Sequence, residues 1–254
     1  MKTIADIFYT EHNDTSRSLD IYLPEDKKEE YPVFVYFHGG GLESGDKGNF
    51  SAQAKTVTDA GIGFISVNYR MYPNAKYPDF IEDAADSVKW TIKNINKYCN
   101  CSGVYVGGSS AGGYLSMMLC FAREYLSNRG IDAFDIKGYL HDAGQPTKHF
   151  NVLREYGEDT RRVVIDETAP LYYVGLEEQY PRMHFIVSDN DMQNRYEQTM
   201  LILSTLRHFG FGKETFAHTV MNSTHCAYVR SFEEDGTSIF GKMVADFIKK
   251  CEEA

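Results

Sequence analysis

Strand-like and helix-like segments alternate along most of this chain. Residues 18–23 alternate polar and apolar positions, which is typical of a half-buried strand. Residues 32–37 are almost continuously apolar, as expected of a strand that helices cover on both faces. Further strands are predicted at residues 61–69, 104–107, 136–140, 183–188 and 214–221.

Helices are predicted between these strands. The predicted helices cover residues 50–60, a segment that opens at residues 77–79, and residues 114–122, 195–209 and 237–250. In the helix at 195–209, the expected packed face consists of Met200, Leu201, Leu203, Leu206 and Phe209. Strands and helices in alternation predict an α/β fold with a mainly parallel sheet, whose ligands gather at the carboxyl ends of the strands.

Length and composition fit one globular unit. The chain has 254 residues, of which 43% are hydrophobic, and no Pro- or Ser-rich linker divides it, so we expect a single α/β domain over residues 1–254. No apolar run approaches the roughly 18 residues that span a bilayer. The first seven residues lack the apolar core of a secretory signal. A cytoplasmic protein is therefore expected.

Charge and cysteine content exclude several classes of partner and cofactor. The formal net charge of −10 argues against binding to nucleic acid or to an anionic membrane, because basic surfaces neutralise phosphates. The five cysteines include no C-x-x-C pair, which favours reduced thiols and gives no indication of a zinc site. We expect neither a metal ion nor an organic cofactor.

A turn between a predicted strand and a predicted helix carries the first candidate chemistry. Gly108-x-Ser110-x-Gly112 matches the G-x-S-x-G nucleophile elbow, a sharp turn that exposes a serine hydroxyl at the end of the sheet. Glycine is expected at both flanking positions because a Cβ there would collide with backbone. Ser109 does not fit, since Ala111 stands two residues after it. Ser110 is the candidate nucleophile, although ordinary glycine-rich turns share this pentapeptide and the context must decide.

A glycine-rich segment follows the strand at residues 32–37. His38-Gly39-Gly40-Gly41 matches the HGGG-type motif, whose backbone N–H groups stabilise the oxyanion formed in acyl transfer. The partner donor in that motif is the N–H of the residue after the nucleophile, here Ala111. Alone, this segment would be read as an ordinary glycine loop. Together with the elbow, it predicts an oxyanion hole.

An elbow serine needs a base and an acid from later loops, in the chain order Ser, Asp or Glu, His. His225 follows the last predicted strand, and Asp191 follows the strand at residues 183–188. We predict that Ser110 attacks, His225 takes its proton and Asp191 stabilises the resulting imidazolium. Asp189 is the alternative acid. Cys226, beside the base, has no assigned function.

The polar stretch at residues 141–180 is expected to form a short, partly helical insertion over the active site. Residues 150–153 and 171–174 could line an acyl or alcohol pocket there. The alternative is a helical excursion that only carries surface aromatic residues.

These motifs together resemble one superfamily. His38–Gly41, Gly108–Gly112, Asp191 and His225 resemble the α/β-hydrolases, and specifically the HGGG esterases related to hormone-sensitive lipase. Further similar segments are Tyr69-Arg70, Tyr77-Pro78 with Asp83, and Ala169-Pro170-Leu171. The resemblance extends from about residue 19 to the end of the chain. It implies the α/β-hydrolase fold, with the N–H groups of Gly40 and Gly41 binding the oxyanion.

Two departures from that family bear on the substrate. Only 37 residues precede His38, and they already include a strand, so a large N-terminal cap over the site is not expected. Ser109-Ser110-Ala111 replaces the Asp-Ser-Ala that is common in the hormone-sensitive lipase group. In this respect the elbow is similar to that of small acetyl esterases, which include enzymes that act on decorated sugars.

The expected function is that of a serine carboxylic ester hydrolase for short acyl groups, in particular an acetyl esterase acting on carbohydrate or another small alcohol. Its expected partner is a small-molecule ester, and homo-oligomerisation is left open. An amide hydrolase, such as an aminopeptidase or arylformamidase, would use the same three side chains. A catalytically silent ligand-binding protein is a further alternative, which the complete set of Ser, Asp and His disfavours.

Overall fold

An eight-stranded sheet runs through the part of the chain that the computed structural model describes, residues 1–25 and 30–253. Its strands are β1 (Lys2–Phe8), β2 (Ser18–Leu23), β3 (Tyr31–Phe37), β4 (Gly63–Val67), β5 (Cys101–Ser109), β6 (Ile136–Asp142), β7 (Met183–Asn190) and β8 (Phe216–Thr224). Their order across the sheet is β1-β2-β4-β3-β5-β6-β7-β8. The pairs β1–β2 and β2–β4 are antiparallel and all other pairs are parallel, which confirms the predicted mainly parallel sheet.

Helices cover both faces of the sheet. They are α1 (Ser51–Asp59), α2 (Asp79–Asn94), α3 (Ala111–Phe121), α4 (Glu124–Ser127), α5 (Phe150–Glu155), α6 (Arg195–His208) and α7 (Ile239–Glu252). Helices α1 and α7 pack on one face together with Phe34 and Tyr36, whereas α2, α3 and α6 pack on the other face with Val33, Val35 and Phe37. Alternate side chains of β3 are therefore buried on opposite faces, which explains its continuous apolar sequence. No helix of the described residues is long and apolar enough to cross a membrane.

The N-terminal strand β1 was not predicted. It lies at the edge of the sheet, pairs only with β2, and most of its residues are partly or fully exposed. Its pairing register with β2 shifts between Ile4 and Ile7, which breaks the two-residue alternation of apolar side chains. The strand therefore has no regular hydrophobic pattern from which it could be recognised.

The predicted packed face of α6 is partly wrong. Leu201 and Phe209 are 41% and 51% exposed. Polar side chains are buried at the start of the helix instead, because they bind the segment that follows β6. Arg195 donates to the carbonyl of Ala143, and Gln198 accepts a hydrogen bond from Thr147 at 2.9 Å. These contacts rotate α6 away from the orientation that its leucines alone would favour.

The segment predicted as an insertion at residues 141–180 begins inside the sheet. His141 and Asp142 are the last residues of β6, and α5 follows after a largely buried connection. Of the eight side chains at 150–153 and 171–174 that could line a pocket, only Phe150 lines the cleft described below. Val152 and Leu153 are buried and Tyr172 is 48% exposed outside that cleft.

Candidate active site

A cleft of about 500 Å³ opens at the carboxyl end of the parallel strands. Ser110, His225, Gly40 and Gly41 line this cleft, together with the aromatic ring of Phe150 and other residues. The nucleophile elbow, the glycine-rich loop and the histidine loop therefore reach one place from three separate parts of the chain.

Ser110 occupies the turn between β5 and α3. Its backbone has φ +56° and ψ −112°, a conformation that costs an L-residue free energy and is characteristic of a nucleophile elbow. A Cβ on Gly108 would stand 2.4 Å from the carbonyl carbon of Gly112, and a Cβ on Gly112 would stand 1.9 Å from the carbonyl oxygen of Phe37. The prediction that only glycine fits at these two positions is confirmed.

A continuous chain of hydrogen bonds joins the serine, the histidine and the acid. Nε2 of His225 lies 2.9 Å from Oγ of Ser110, and Nδ1 of His225 lies 2.5 Å from Oδ1 of Asp191. An ionised carboxylate can only accept, so Nδ1 of a neutral His225 carries the hydrogen. Nε2 is thereby left as the acceptor for the Ser110 hydroxyl, as a general base requires.

Asp191 is held in its ionised form although its side chain is fully buried. Burial alone would raise its pKa. Hydrogen bonding and charge from His225, with the backbone N–H groups of Met192 and Ser188, outweigh that effect and hold the pKa of Asp191 below its usual value. At neutral pH Asp191 is therefore a carboxylate, which can accept the hydrogen on Nδ1 of His225.

The structure separates the two candidate acids. Asp189 is exposed, and its Oδ1 accepts the backbone N–H of Ser223 at 3.1 Å. Asp191, two residues further along the chain, contacts His225 directly. Asp189 therefore helps to fasten the end of β8, and Asp191 is the carboxylate beside the histidine.

The glycine loop has a backbone conformation that requires glycine. Gly40 and Gly41 have φ values of +119° and +66°, and a Cβ on Gly40 would stand 1.9 Å from the carbonyl oxygen of Ser44. The Gly40 carbonyl accepts the N–H groups of Glu43 and Ser44, which fixes the turn. Within the described residues, the N–H groups of Gly40, Gly41 and Ala111 donate to no protein acceptor.

Gly39 lets this loop approach Ser110. A Cβ on Gly39 would stand 3.0 Å from the carbonyl oxygen of Ser109 and 3.2 Å from Cβ of Ser110. The neighbouring His38 ring stacks on Tyr69, whose hydroxyl donates to the His38 carbonyl at 2.7 Å. Burial lowers the pKa of His38, so its ring is a neutral support for the loop.

Side chains from α5 brace the glycine loop, a role that the sequence did not reveal. Asn151 donates from Nδ2 to the carbonyl of Gly41 and, at 2.9 Å, to Oε2 of Glu43. Arg154 pairs with Glu43 at 2.5 Å. The hydrogen bond from Arg154, followed by that from Asn151, holds the pKa of Glu43 below its usual value. No local pattern could identify these contacts, since they join segments more than 100 residues apart.

A second buried carboxylate, Asp142, links the elbow to the histidine loop. Its backbone carbonyl accepts the N–H of Ser110 at 2.7 Å, and its side chain accepts the hydroxyl of Tyr228, three residues after His225. The other carboxylate oxygen has no hydrogen-bond partner among the described residues. Burial raises the pKa of Asp142 to about 6, and hydrogen bonds from Ser109 and Tyr228 offset only part of that effect.

The raised pKa of Asp142 predicts a specific dependence of stability on pH. The unfolded chain loses this proton near pH 4 and the folded chain near pH 6, so stability falls as pH rises through that window. A difference of about two pKa units corresponds to about 3 kcal/mol. We expect Asp142→Asn, relative to wild type, to gain about 3 kcal/mol in unfolding free energy between pH 4 and pH 8. Urea unfolding of both proteins at both pH values measures this difference, and parallel pH profiles would contradict it.

Cys226 lies beside the base but lacks the properties of a nucleophile. Its Sγ is 3.8 Å from Nε2 of His225, and burial raises the pKa of the thiol well above its usual value. No group of three or more His, Cys, Asp or Glu side chains within residues 1–25 and 30–253 is arranged to hold a metal ion.

Known proteins resemble this chain in sequence. The model of the BD-FAE family matches residues 19–157, more than half of the chain. Probable carboxylesterase 7 of Arabidopsis thaliana is 37% identical over 112 residues, which cover 39% of this chain and 36% of that protein. Kynurenine formamidase of Danio rerio is 29% identical over 118 residues, which cover 46% of this chain and 39% of that protein. The chain thus spans less than half of the length of these two relatives.

Solved structures resemble it over nearly its whole length. A truncated carbohydrate esterase from gut microbiota has a TM-score of 0.78 at 19% identity and covers 100% of this chain and 97% of its own. Esterase B from Lactobacillus Rhamnosis has a TM-score of 0.80 at 17% identity and covers 99% of this chain and 86% of its own. These likenesses concern the fold and agree with the α/β-hydrolase architecture expected from the sequence. By its match over residues 19–157, the chain belongs to the BD-FAE family.

Proposed function

We propose that this protein is a serine carboxylic ester hydrolase that removes short acyl groups, acetyl in particular, from carbohydrate or another small alcohol. The observation that carries the proposal is the hydrogen-bonded series Ser110–His225–Asp191, which ends beside the unengaged N–H groups of the glycine loop. A serine, a base, an orienting acid and oxyanion donors are the groups that acyl transfer requires.

In the proposed reaction, Oγ of Ser110 attacks the ester carbonyl while Nε2 of His225 takes the hydroxyl proton. The N–H groups of Gly40, Gly41 and Ala111 bind the oxyanion, and Asp191 stabilises the imidazolium. His225 then gives its proton to the departing alkoxide, which leaves an acyl group on Ser110. Water, deprotonated by His225, then attacks the acyl-enzyme. The second tetrahedral intermediate breaks its bond to Oγ and releases the acid, while His225 returns the proton to Oγ of Ser110.

The position of the Phe150 ring supports a preference for short acyl groups. Its Cζ is only 3.3 Å from where a Cβ on Gly41 would stand, so the ring lies directly against the oxyanion loop and occupies space beside the reacting carbonyl. Met192 and Val229 also line the cleft, which has room for a small acyl group next to apolar side chains.

Removing this ring is expected to relax the chain-length preference. For Phe150→Ala, the ratio of kcat/KM for p-nitrophenyl octanoate to that for the acetate should rise about tenfold, because a few methylenes gain an apolar site. Tyr172→Ala, which removes an exposed aromatic ring from the same segment but outside the cleft, should leave the ratio unchanged. An unchanged ratio in Phe150→Ala would show that the acyl group lies elsewhere.

The amide alternative is favoured by one observation, the similarity to kynurenine formamidase. The same side chains can attack an ester or an amide, and the two substrates differ mainly in how difficult their leaving group is to expel. Comparison of kcat/KM for an aryl acetate and the matching acetanilide or formanilide separates the alternatives. A higher value for the ester supports the esterase, and a higher value for the amide supports the alternative.

The proposed function is tested by a panel of p-nitrophenyl acetate, butyrate and octanoate, with acetate release from acetylated oligosaccharides measured in parallel. Activity that falls with chain length and is matched by acetate release supports a carbohydrate acetyl esterase. Activity on the aryl esters without acetate release would indicate that the alcohol part of the substrate is another small alcohol and not a carbohydrate. Folded protein that hydrolyses neither esters nor amides would support the ligand-binding alternative.

A further inference from the structure

We propose that Arg230 binds a carboxylate on the substrate, so that the preferred esters are anionic; this inference rests on the proposed esterase function of the same cleft. Arg230 is the last residue of a single helical turn, Ala227–Arg230, that begins two residues after His225. It lines the cleft together with His225 and Ser110. The short segment that carries the base therefore also carries a cation into the substrate pocket.

The backbone of this turn is fixed. Tyr228 and Val229 are 3% and 4% exposed, and the Val229 carbonyl accepts a hydrogen bond from Nε2 of Gln53 at 2.7 Å. The Tyr228 hydroxyl is bound to Asp142. Because the residues before it are anchored on both faces, the Cα of Arg230 has a defined position relative to the base. Such a position is what a specificity contact needs.

The Arg230 side chain is exposed and has no partner of its own. Among the described residues, no carboxylate pairs with it and no hydrogen bond engages its guanidinium. Asp46 is the acidic residue among the described residues that line the cleft, and it is already bound by the N–H of Gly48 at 2.7 Å and by Asn68 at 3.0 Å. The positive charge of Arg230 is available to a ligand.

An unengaged amide lies on the same wall. Asn49 also lines the cleft, and no hydrogen bond of its side chain is found among the described residues. It stands four residues before Gln53, whose side chain binds the carbonyl next to Arg230, so the two segments run side by side. A guanidinium and an amide together offer the planar set of donors that a carboxylate accepts.

The overall charge of the protein bears on how an anionic ester could bind. A net charge of −10 repels an approaching anion, and the positive charge of Arg230 offsets that repulsion inside the cleft. Asp46 in the same cleft disfavours a carboxylate on its own side and so restricts where the anionic end of the substrate can lie. The structure thus favours an ester whose carboxylate is held away from the reacting carbonyl at the Arg230 wall.

The test compares 3- and 4-acetoxybenzoate with the corresponding acetoxybenzamides, in which a neutral carboxamide replaces the carboxylate. For wild type, kcat/KM should be higher for the acids at low salt and should fall as KCl is raised, whereas the values for the amides should change little. For Arg230→Gln, the acid-to-amide ratio should fall about 10- to 100-fold, as expected when a charged hydrogen bond is lost. Arg207→Gln, which removes an exposed arginine of α6 outside the cleft, should leave the ratio unchanged.

A binding measurement keeps this inference separate from the proposed function. Calorimetry with Ser110→Ala should show tighter binding of 4-hydroxybenzoate than of 4-hydroxybenzamide, and the further change Arg230→Gln should remove the difference. Equal binding of the two compounds, or equal acid-to-amide ratios in wild type and Arg230→Gln, would overturn the carboxylate site. Hydrolysis of the neutral acetoxybenzamides by wild type would in that case still support the esterase. Absence of all ester hydrolysis together with carboxylate-selective binding would overturn the esterase alone.

Discussion

Ser110→Ala is expected to lower kcat/KM for p-nitrophenyl acetate by about 10⁵-fold or more, while the protein remains folded. The substitution removes only the Oγ atom that lies 2.9 Å from Nε2 of His225, and alanine retains the Cβ at this position. Without that oxygen, no acyl-enzyme can form. The oxyanion donors can then assist only direct attack by water, which accounts for the residual rate.

The neighbouring serine provides the matched control. Ser109 is buried, and its Oγ accepts a hydrogen bond from the hydroxyl of Tyr36 at 3.0 Å. Ser109→Ala should therefore reduce activity by no more than about tenfold, through the loss of its hydroxyl contacts with Tyr36 and Asp142 behind the elbow. If the two variants lost activity equally, or if Ser110→Ala retained most of it, Ser110 would not be the nucleophile.

Asp191→Asn is expected to lower kcat by about 10⁴-fold with little change in KM. The asparagine can place an N–H group against Nδ1 of His225. Nδ1 would then have to accept, which leaves the hydrogen on Nε2 and prevents that atom from taking the serine proton. The substitution also removes the negative charge that stabilises the imidazolium. The loss of kcat should therefore arise mainly in the steps in which His225 takes up a proton.

Asp189→Asn distinguishes this effect from a general loss of negative charge at the end of β7. It changes the charge by the same amount two residues away, at an exposed carboxylate whose one side-chain contact among the described residues is with the N–H of Ser223. Activity should remain within a fewfold of wild type, because an amide oxygen can still accept that bond. A large loss in Asp189→Asn and a small one in Asp191→Asn would reverse the assignment of the acid.

Features that depend on a few adjacent residues could be predicted from the sequence. The elbow glycines are fixed by contacts of less than 2.5 Å that any Cβ would make, so the motif itself encodes the turn. The continuous apolar sequence of β3 similarly reflects burial on both faces. The order of strands and loops then placed the serine, the acid and the base at one end of the sheet.

Features that depend on side chains distant in sequence could not be predicted. The choice between Asp189 and Asp191 depends on how the chain bends at the end of β7, and both residues fit the same pattern. The bracing of Gly41 by Asn151 and the link from Asp142 to Tyr228 join segments that only the folded chain brings together. The orientation of α6 follows from the buried hydrogen bonds of Arg195, which a hydrophobic pattern does not register.

The position of β8 has a consequence for how activity would be lost under stress. This strand leads directly to His225, yet it is the last strand of the sheet, pairs only with β7, and is mostly exposed or half-buried. Ser110, in contrast, follows β5 in the middle of the sheet. Regions with few buried contacts open before the core does. We therefore expect β8 to open before the middle of the sheet does, which would draw His225 away from Ser110 while the contacts of Tyr228 and Val229 still hold the turn that follows.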